Sequence, residues 1–205
     1  MDRTAVRLHA PATAKAPALT LRPWCPADAP ELAVLHRDEA LRRWIGSVVD
    51  DEAGAVRWVR TQQRGWREGD RFAFAVVEAR QGHGRDGGPA ADGPLVGHAV
   101  LKRPARDGPS AEVGYWTAGH ARGSGVAPRA LDALTCWAFD TFAGDGLVRL
   151  ELLHSTDNTA SCRVAEKCGY ALTALLPAVP NRFPLDGHLH ARLLTASGRA
   201  PARRA

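Results

Sequence analysis

The chain has 205 residues, enough for one domain with a sizeable core and few for two. Its composition, 45% hydrophobic and 24% charged, is that of an ordinary globular protein and excludes a chain that is disordered or fibrous throughout. The formal charge of +5 sits in the ends, with +2 in residues 1–18 and +3 in residues 199–205, so the neutral body gives no reason to expect a nucleic-acid partner.

Residues 1–18, rich in Ala and Pro, read as a disordered tail, the domain spans 19–195, and 196–205 form a basic tail. Leu19-Thr20-Leu21-Arg22 is a short alternating strand closed by Pro23, and Asp28 to Arg43 places Leu32, Leu35, Ala40 and Leu41 at helical spacing. A second helix runs from Asp51 to about Arg67, with Asp50 or Asp51 as cap and Ala55, Trp58, Val59 and Gln62 along one side. Phe72–Val77 and Leu95–Leu101 are apolar runs of strand length that pair, and the Gly- and Pro-rich stretch 81–94 between them is a flexible hairpin loop.

A third strand covers Ala111 to Thr117. A helix from Ser124 to Phe142 follows, with Ala127, Leu131, Leu134 and Ala138 inward and Gly144 as a stop. Leu147–His154 suits a central strand, and Thr159–Cys168 a short helix turning Ala160, Val164 and Cys168 inward. Two last strands, 171–176 and 188–194, flank a proline-bearing loop. This order of meander and crossover describes an α/β sheet with helices on both faces.

Cys25, Cys136, Cys162 and Cys168 form no CxxC pair and have no histidine at metal-ligand spacing, so free thiols in a reducing compartment are expected and no metal. No run of about 18 apolar residues occurs, so a cytoplasmic chain without a membrane partner is the expectation.

The most informative segment is the strand-turn-helix from Tyr115 to Ala127. Gly123 and Gly125 allow positive φ and close backbone approach, so that N–H groups converge on an anion at the positive end of the following helix. Pro128 fits the first helical turn, where a missing donor costs nothing. A glycine turn that merely lets the helix pack closely is the plainer alternative. Neither GxxxxGK[ST] nor GxGxxG is present.

Arg122-Gly123-Ser124-Gly125-Val126-Ala127 resembles the R/Q-x-x-G-x-G/A pyrophosphate motif of the GNAT superfamily of N-acetyltransferases. Asn158 to Tyr170, with Ser161 and Glu166-Lys167-Cys168-Gly169, looks like the corresponding stretch of the branch that acetylates ribosomal-protein N-termini, and the opening Leu-Thr-Leu-Arg-Pro is similar to that branch's first strand. The resemblance implies a GNAT acyl-CoA acyltransferase fold, a mixed central sheet splayed at the cofactor cleft with helices on both faces. It implies acetyl-CoA as cosubstrate and direct attack of an amine, of a protein N-terminus or a small molecule, in a ternary complex, by a monomer or homodimer.

The resemblance also implies roles. Backbone groups of Trp116, Thr117 and Ala118 meet the pantetheine arm, and amides of Arg122, Gly123, Ser124, Gly125, Val126 and Ala127 hold the pyrophosphate, with the Arg122 side chain near a phosphate or simply solvated. Asn158 lies beside the cofactor, or serves as a helix N-cap, or both. Ser161 protonates the departing thiolate, or is a buried serine bonded to a carbonyl one turn back. Many relatives carry a tyrosine four residues further on, where this chain has Ala165. Glu112 relays the amine proton through water, or is a strand-face carboxylate bonded to a neighbouring arginine. The loop glutamate of the N-terminal acetyltransferases has no counterpart in Ala178–Phe183, leaving His188 and His190 as other bases or as ordinary strand residues. A module that binds acyl-CoA without turning it over, as a sensor or partner protein, is the competing reading.

Overall fold

Alternating and continuous apolar runs become eight strands of one sheet in a computed structural model that describes residues 6–79, 92–103, 105, 108–179 and 184–195. In chain order these are β1 (Leu8–Ala10), β2 (Leu19–Pro23), β3 (Arg71–Glu78), β4 (Leu95–Lys102), β5 (Ser110–Thr117), β6 (Arg149–Ser155), β7 (Ala171–Leu176) and β8 (Gly187–Leu193). The helices are α1 (Ala29–Leu35), α2 (Glu39–Arg42), α3 (Glu52–Glu68), α4 (Val126–Phe142) and α5 (Thr159–Lys167). The spatial order β1-β2-β3-β4-β5-β6-β8-β7 is antiparallel except at β5–β6, where the crossover through α4 makes the pair parallel.

Strand β3 explains why its sequence is apolar without alternation. Phe72, Phe74 and Val76 enter one core with α4 and α5, while Ala73, Ala75 and Val77 enter a second core with α1 and α3. Side-chain size completes the division. Trp66 and Trp137 pack edge-on against Phe72 and Phe74 on one face, and Trp24, Trp58 and Trp116 cluster on the other.

Four expectations need correcting. Leu8–Ala10 pairs with Leu19–Leu21, so order begins well before Leu19; three residues among Ala and Pro are too few to announce a strand in advance, and the existing edge of β2 stabilises it. The expected helix 28–43 is two helices, because the Asp38 carboxylate accepts hydrogen bonds from the amides of Ala40 (3.0 Å) and Leu41 (3.4 Å) and starts a new one. Helix α4 begins at Val126, with Gly125 at its N-cap, and Val126 and Ala130 are buried where Ala127 is half-buried. Helix α5 turns Ser161, Ala165 and Cys168 inward and leaves Ala160 exposed, a rotation of one residue from the expected face.

Helix α3 follows its sequence closely, with the Asp51 carboxylate accepting from the Gly54 amide at 2.6 Å and Gly69 in the left-handed conformation at its end. All four cysteines are free thiols. Among the described residues no helix is long and apolar enough to cross a membrane. The expected tail 196–205, and residues 81–91 of the expected hairpin loop, lie outside the described residues.

Candidate functional site

Strands β5 and β6 are paired only from Ser110↔Arg149 to Val113↔Leu152, although β5 continues to Thr117 and β6 to Ser155. Their C-terminal ends therefore part, opening a gap in the sheet with unpaired strand edges on either side. Residues of a strand direct their backbone polar groups alternately to the two neighbours. The Ala118 amide donates to the Val96 carbonyl of β4 at 2.9 Å, which turns Ala118 and Trp116 toward β4 and leaves the N–H and C=O groups of Tyr115 and Thr117 facing the gap. Of the three residues expected to offer backbone to the pantetheine arm, Thr117 faces the gap while Trp116 and Ala118 face β4, and Tyr115 also faces the gap.

The turn after β5 closes one mouth of this gap. A short 3-10 turn over Gly119–Ala121 leads to extended Arg122, then Gly123 (φ 79°) and Gly125 (φ 76°) take the left-handed conformation before α4 starts. A side chain at either glycine would be strained there. First-turn amides of a helix have no intrahelical acceptor, so Val126 and Ala127 present N–H groups at the positive end of α4, and Pro128 has none to waste. Ser124 Oγ donates back to the Ala121 carbonyl at 2.7 Å and fixes the turn.

The Arg122 guanidinium is ion-paired with Asp38, the residue that caps α2. A Cβ on Gly119 would lie 2.7 Å from Asp38 Oδ2, so a side chain there would make the Asp38 carboxylate shift. At the other end of α2, Arg43 Nη2 donates to Asp157 Oδ2 at 2.8 Å. Asp157, in the loop between β6 and α5, also accepts from Ser155 Oγ at 2.6 Å; these hydrogen bonds hold its carboxyl below the usual range, the one from Ser155 contributing most. The α2 segment thus connects the turn after β5 with the loop after β6.

Asn158 is the N-cap of α5, its Oδ1 accepting from the Ser161 amide at 3.1 Å. Ser161, nine-tenths buried, lies 2.8 Å from the phenol oxygen of Tyr115, so a strand residue from one side of the parting meets a helix residue from the other. Burial raises the Tyr115 phenol to about 12, against a smaller opposing effect of the Ser161 hydrogen bond, so it stays protonated at neutral pH. Sequence reasoning missed Tyr115. The alternation that places Ala111 and Val113 in the α4 core puts Tyr115 on the same side, but nothing in the sequence paired it with residue 161.

Glu112 is not brought to this group. It sits at the paired end of β5, on the opposite sheet face from Tyr115 by alternation, in an ion pair with Lys102. A hollow of about 480 Å³ there is lined by Arg64, Glu68, Asp70, Arg71, Lys102 and Glu112, away from the parting. His190 is buried, with Nδ1 3.2 Å from the Tyr170 carbonyl, and His188 Nδ1 lies 3.2 Å from Cys162 Sγ, so both pack beneath α5.

The family model of the acetyltransferase (GNAT) domain matches residues 18–171. The chain belongs to the GNAT acetyltransferase family. It is an acetyltransferase, with acetyl-CoA as cosubstrate. The fold is shared with a Vibrio cholerae protein provisionally described as a ribosomal-protein-serine acetyltransferase, at TM-score 0.73 and 21% identity over 93% of this chain and 99% of that one. Mycobacterium smegmatis RimJ, solved in complex with CoA-disulfide, aligns at TM-score 0.70 and 22% identity over 92% of this chain and 86% of its own. The microcin C7 self-immunity acetyltransferase MccE, solved with acetyl-CoA and AMP, aligns at TM-score 0.70 and 16% identity over 86% and 92%. A search of curated proteins gave no match.

Proposed function

We propose that this GNAT protein transfers the acetyl group of acetyl-CoA to a primary amine, on a protein N-terminus or a small molecule, by direct attack in a ternary complex. The parting of β5 from β6 beside the glycine turn carries this reading. Amides of Gly123, Ser124, Gly125, Val126 and Ala127 hold the pyrophosphate, where the helix dipole and unpaired donors favour negative charge. Arg122 contributes its backbone and, through Asp38, the position of the turn. The pantetheine arm lies along the open edge of β5, its amides meeting the backbone of Tyr115 and Thr117, as an added strand would.

The amine nitrogen attacks the thioester carbonyl, the C–S bond breaks, and the sulfur needs a proton. Ser161 supplies it. With Tyr115 donating to Ser161 Oγ, the serine proton is free to point at the sulfur, and the raised phenol keeps that donor in place. Where relatives carry a tyrosine on the helix this chain has buried Ala165, and the phenol comes instead from β5. Asn158 orients the first turn of α5 and so places Ser161. Glu112, bound to Lys102 on the far face, is left out of the transfer.

The Vibrio cholerae neighbour is described as a ribosomal-protein-serine acetyltransferase and RimL, another neighbour, as a ribosomal L7/L12 alpha-N-protein acetyltransferase, so a protein α-amine is the first acceptor to try. The test is release of CoA thiol from acetyl-CoA with a panel of N-terminal peptides, amino acids and polyamines, with the product identified by mass. Acetylation of at least one amine class is expected. Tight uptake of acetyl-CoA with no thiol released by any amine class would contradict the proposed transfer to these acceptors.

A further inference from the structure

Beside the proposed thiolate acid, but on the next face of α5, four potential ligands converge. His154 from β6, Cys162 from α5 and His188 and His190 from β8 each offer one donor atom, all within 4.8 Å of one another. The register of β6 on β8 explains the gathering. His154 is opposite His188 and Leu152 opposite His190, so the three imidazoles share one sheet face, and α5 lays Cys162 over them. Cys162 Sγ is already 3.2 Å from His188 Nδ1 and 3.7 Å from His154 Nε2, matching the roughly 3.3–3.7 Å between neighbouring ligands of a tetrahedral zinc ion.

Second, the rings are oriented as metal ligands are. A carbonyl oxygen only accepts, so the contacts of His154 Nδ1 with the Ser155 carbonyl (2.9 Å) and of His190 Nδ1 with the Tyr170 carbonyl (3.2 Å) put the proton on Nδ1 and the lone pair on Nε2 in both rings. His190 is 2% exposed, and its Nε2 is a buried polar atom without a hydrogen-bond partner. An orphan of that kind costs free energy unless something else satisfies it. His154 and His190 are stacked with ring centroids 5.1 Å apart.

We propose that His154, Cys162, His188 and His190 form a binding site for one borderline-soft divalent cation, Zn²⁺ in class, that fastens α5 to β6 and β8. Three imidazoles and a thiol, with no carboxylate among the four, select against Mg²⁺ and Ca²⁺ and for zinc or cobalt. Four protein ligands close the coordination shell, so the ion is structural and supplies no activated water. Binding displaces the Cys162 thiol proton to solvent and leaves a metal–sulfur bond. Because Cys162 follows Ser161 in the same helical turn, the ion holds the thiolate acid in place as well. The site does not depend on the acetyl-transfer reading, since its binding is measured without acetyl-CoA.

A metal at these four residues departs from the expectation of none, which rested on spacing along the sequence. Its test uses the full chain, free of any affinity tag and stripped with chelator, titrated with Co²⁺ and then Zn²⁺. One equivalent of Co²⁺ with intense tetrahedral visible bands and a near-ultraviolet thiolate-to-cobalt band is expected, with stoichiometric displacement by Zn²⁺. Cys162→Ser should abolish the thiolate band and weaken Zn²⁺ by more than about 100-fold, beyond what an outer partner contributes. His190→Gln should weaken it comparably, while Cys136→Ser, at an exposed thiol, should leave it unchanged. Absence of binding, a weak octahedral cobalt spectrum, or undiminished binding in Cys162→Ser with a wild-type metal-free melt would each overturn the proposal.

Discussion

Replacing Ser161 by Ala and Tyr115 by Phe, singly and together, tests how the sulfur acquires its proton. The two oxygens are 2.8 Å apart, and Ser161 is buried. General-acid catalysis contributes roughly 10²–10⁴-fold, and we take the lower end because a water can enter the space left by Oγ, giving a fall in kcat of about 100-fold, or about 2.7 kcal/mol. Tyr115→Phe removes one neutral hydrogen bond, worth about 1 kcal/mol, and should lower kcat about fivefold. If Tyr115 acts only through Ser161, the double variant is no slower than Ser161→Ala, and the cycle shows a coupling of about 1 kcal/mol. CoA thiol release at saturating acetyl-CoA reads kcat, and calorimetry shows acetyl-CoA affinity holding in all three. Full kcat in Ser161→Ala removes the serine from the mechanism. Multiplying effects in the double variant would show that the phenol acts by another route.

Three further outcomes follow from geometry and burial. A Cβ on Gly125 would meet no atom closer than Arg129 Nε at 3.9 Å, so the cost of Gly125→Ala is the left-handed backbone, about 1–2 kcal/mol; relaxation of the turn should weaken acetyl-CoA about tenfold by calorimetry, with Gly125→Asn milder. A methyl on Gly97 would lie 2.6 Å from the Trp116 carbonyl, so Gly97→Ala should push β4 from β5 and lower stability by about 1–3 kcal/mol in urea unfolding. Burial holds His36 down to about 4 and His98 to about 3, with nearby Arg42 and Arg71 respectively adding to the effect; the unfolded chain takes up these two protons near 6.5 while the folded chain refuses them. That stability is complete above pH 6.5 and is lost as pH falls toward 4, with a slope of at most about 2.7 kcal/mol per pH unit, which His98→Asn should halve in urea midpoints measured across the window.

Strands and long helices were legible wherever one local rule decided them. The continuous apolar run of β3 and the Asp51 cap of α3 are such cases, and so is the glycine turn, whose positive φ values are local properties of residues 123 and 125. What stayed hidden depends on residues distant in sequence. Asp38 breaks the expected helix by capping a new one, and its second partner is Arg122, 84 residues away. Which backbone groups of β5 face the gap is set by the register of β4, so Tyr115 rather than Trp116 was unreadable without the sheet. Tyr115 with Ser161, and Cys162 with three histidines, are each assembled across strands and a helix that no spacing rule connects.

The most direct measurement is an amide-resolved NMR titration of the ¹⁵N-labelled protein with acetyl-CoA. Large shifts should appear at Gly123, Ser124, Gly125, Val126 and Ala127, where the pyrophosphate is held, and at Tyr115 and Thr117 along the open edge of β5, with smaller ones at Trp116 and Ala118. Saturable binding that leaves the amides of 115, 117 and 123–127 unmoved would place the coenzyme elsewhere and contradict the account.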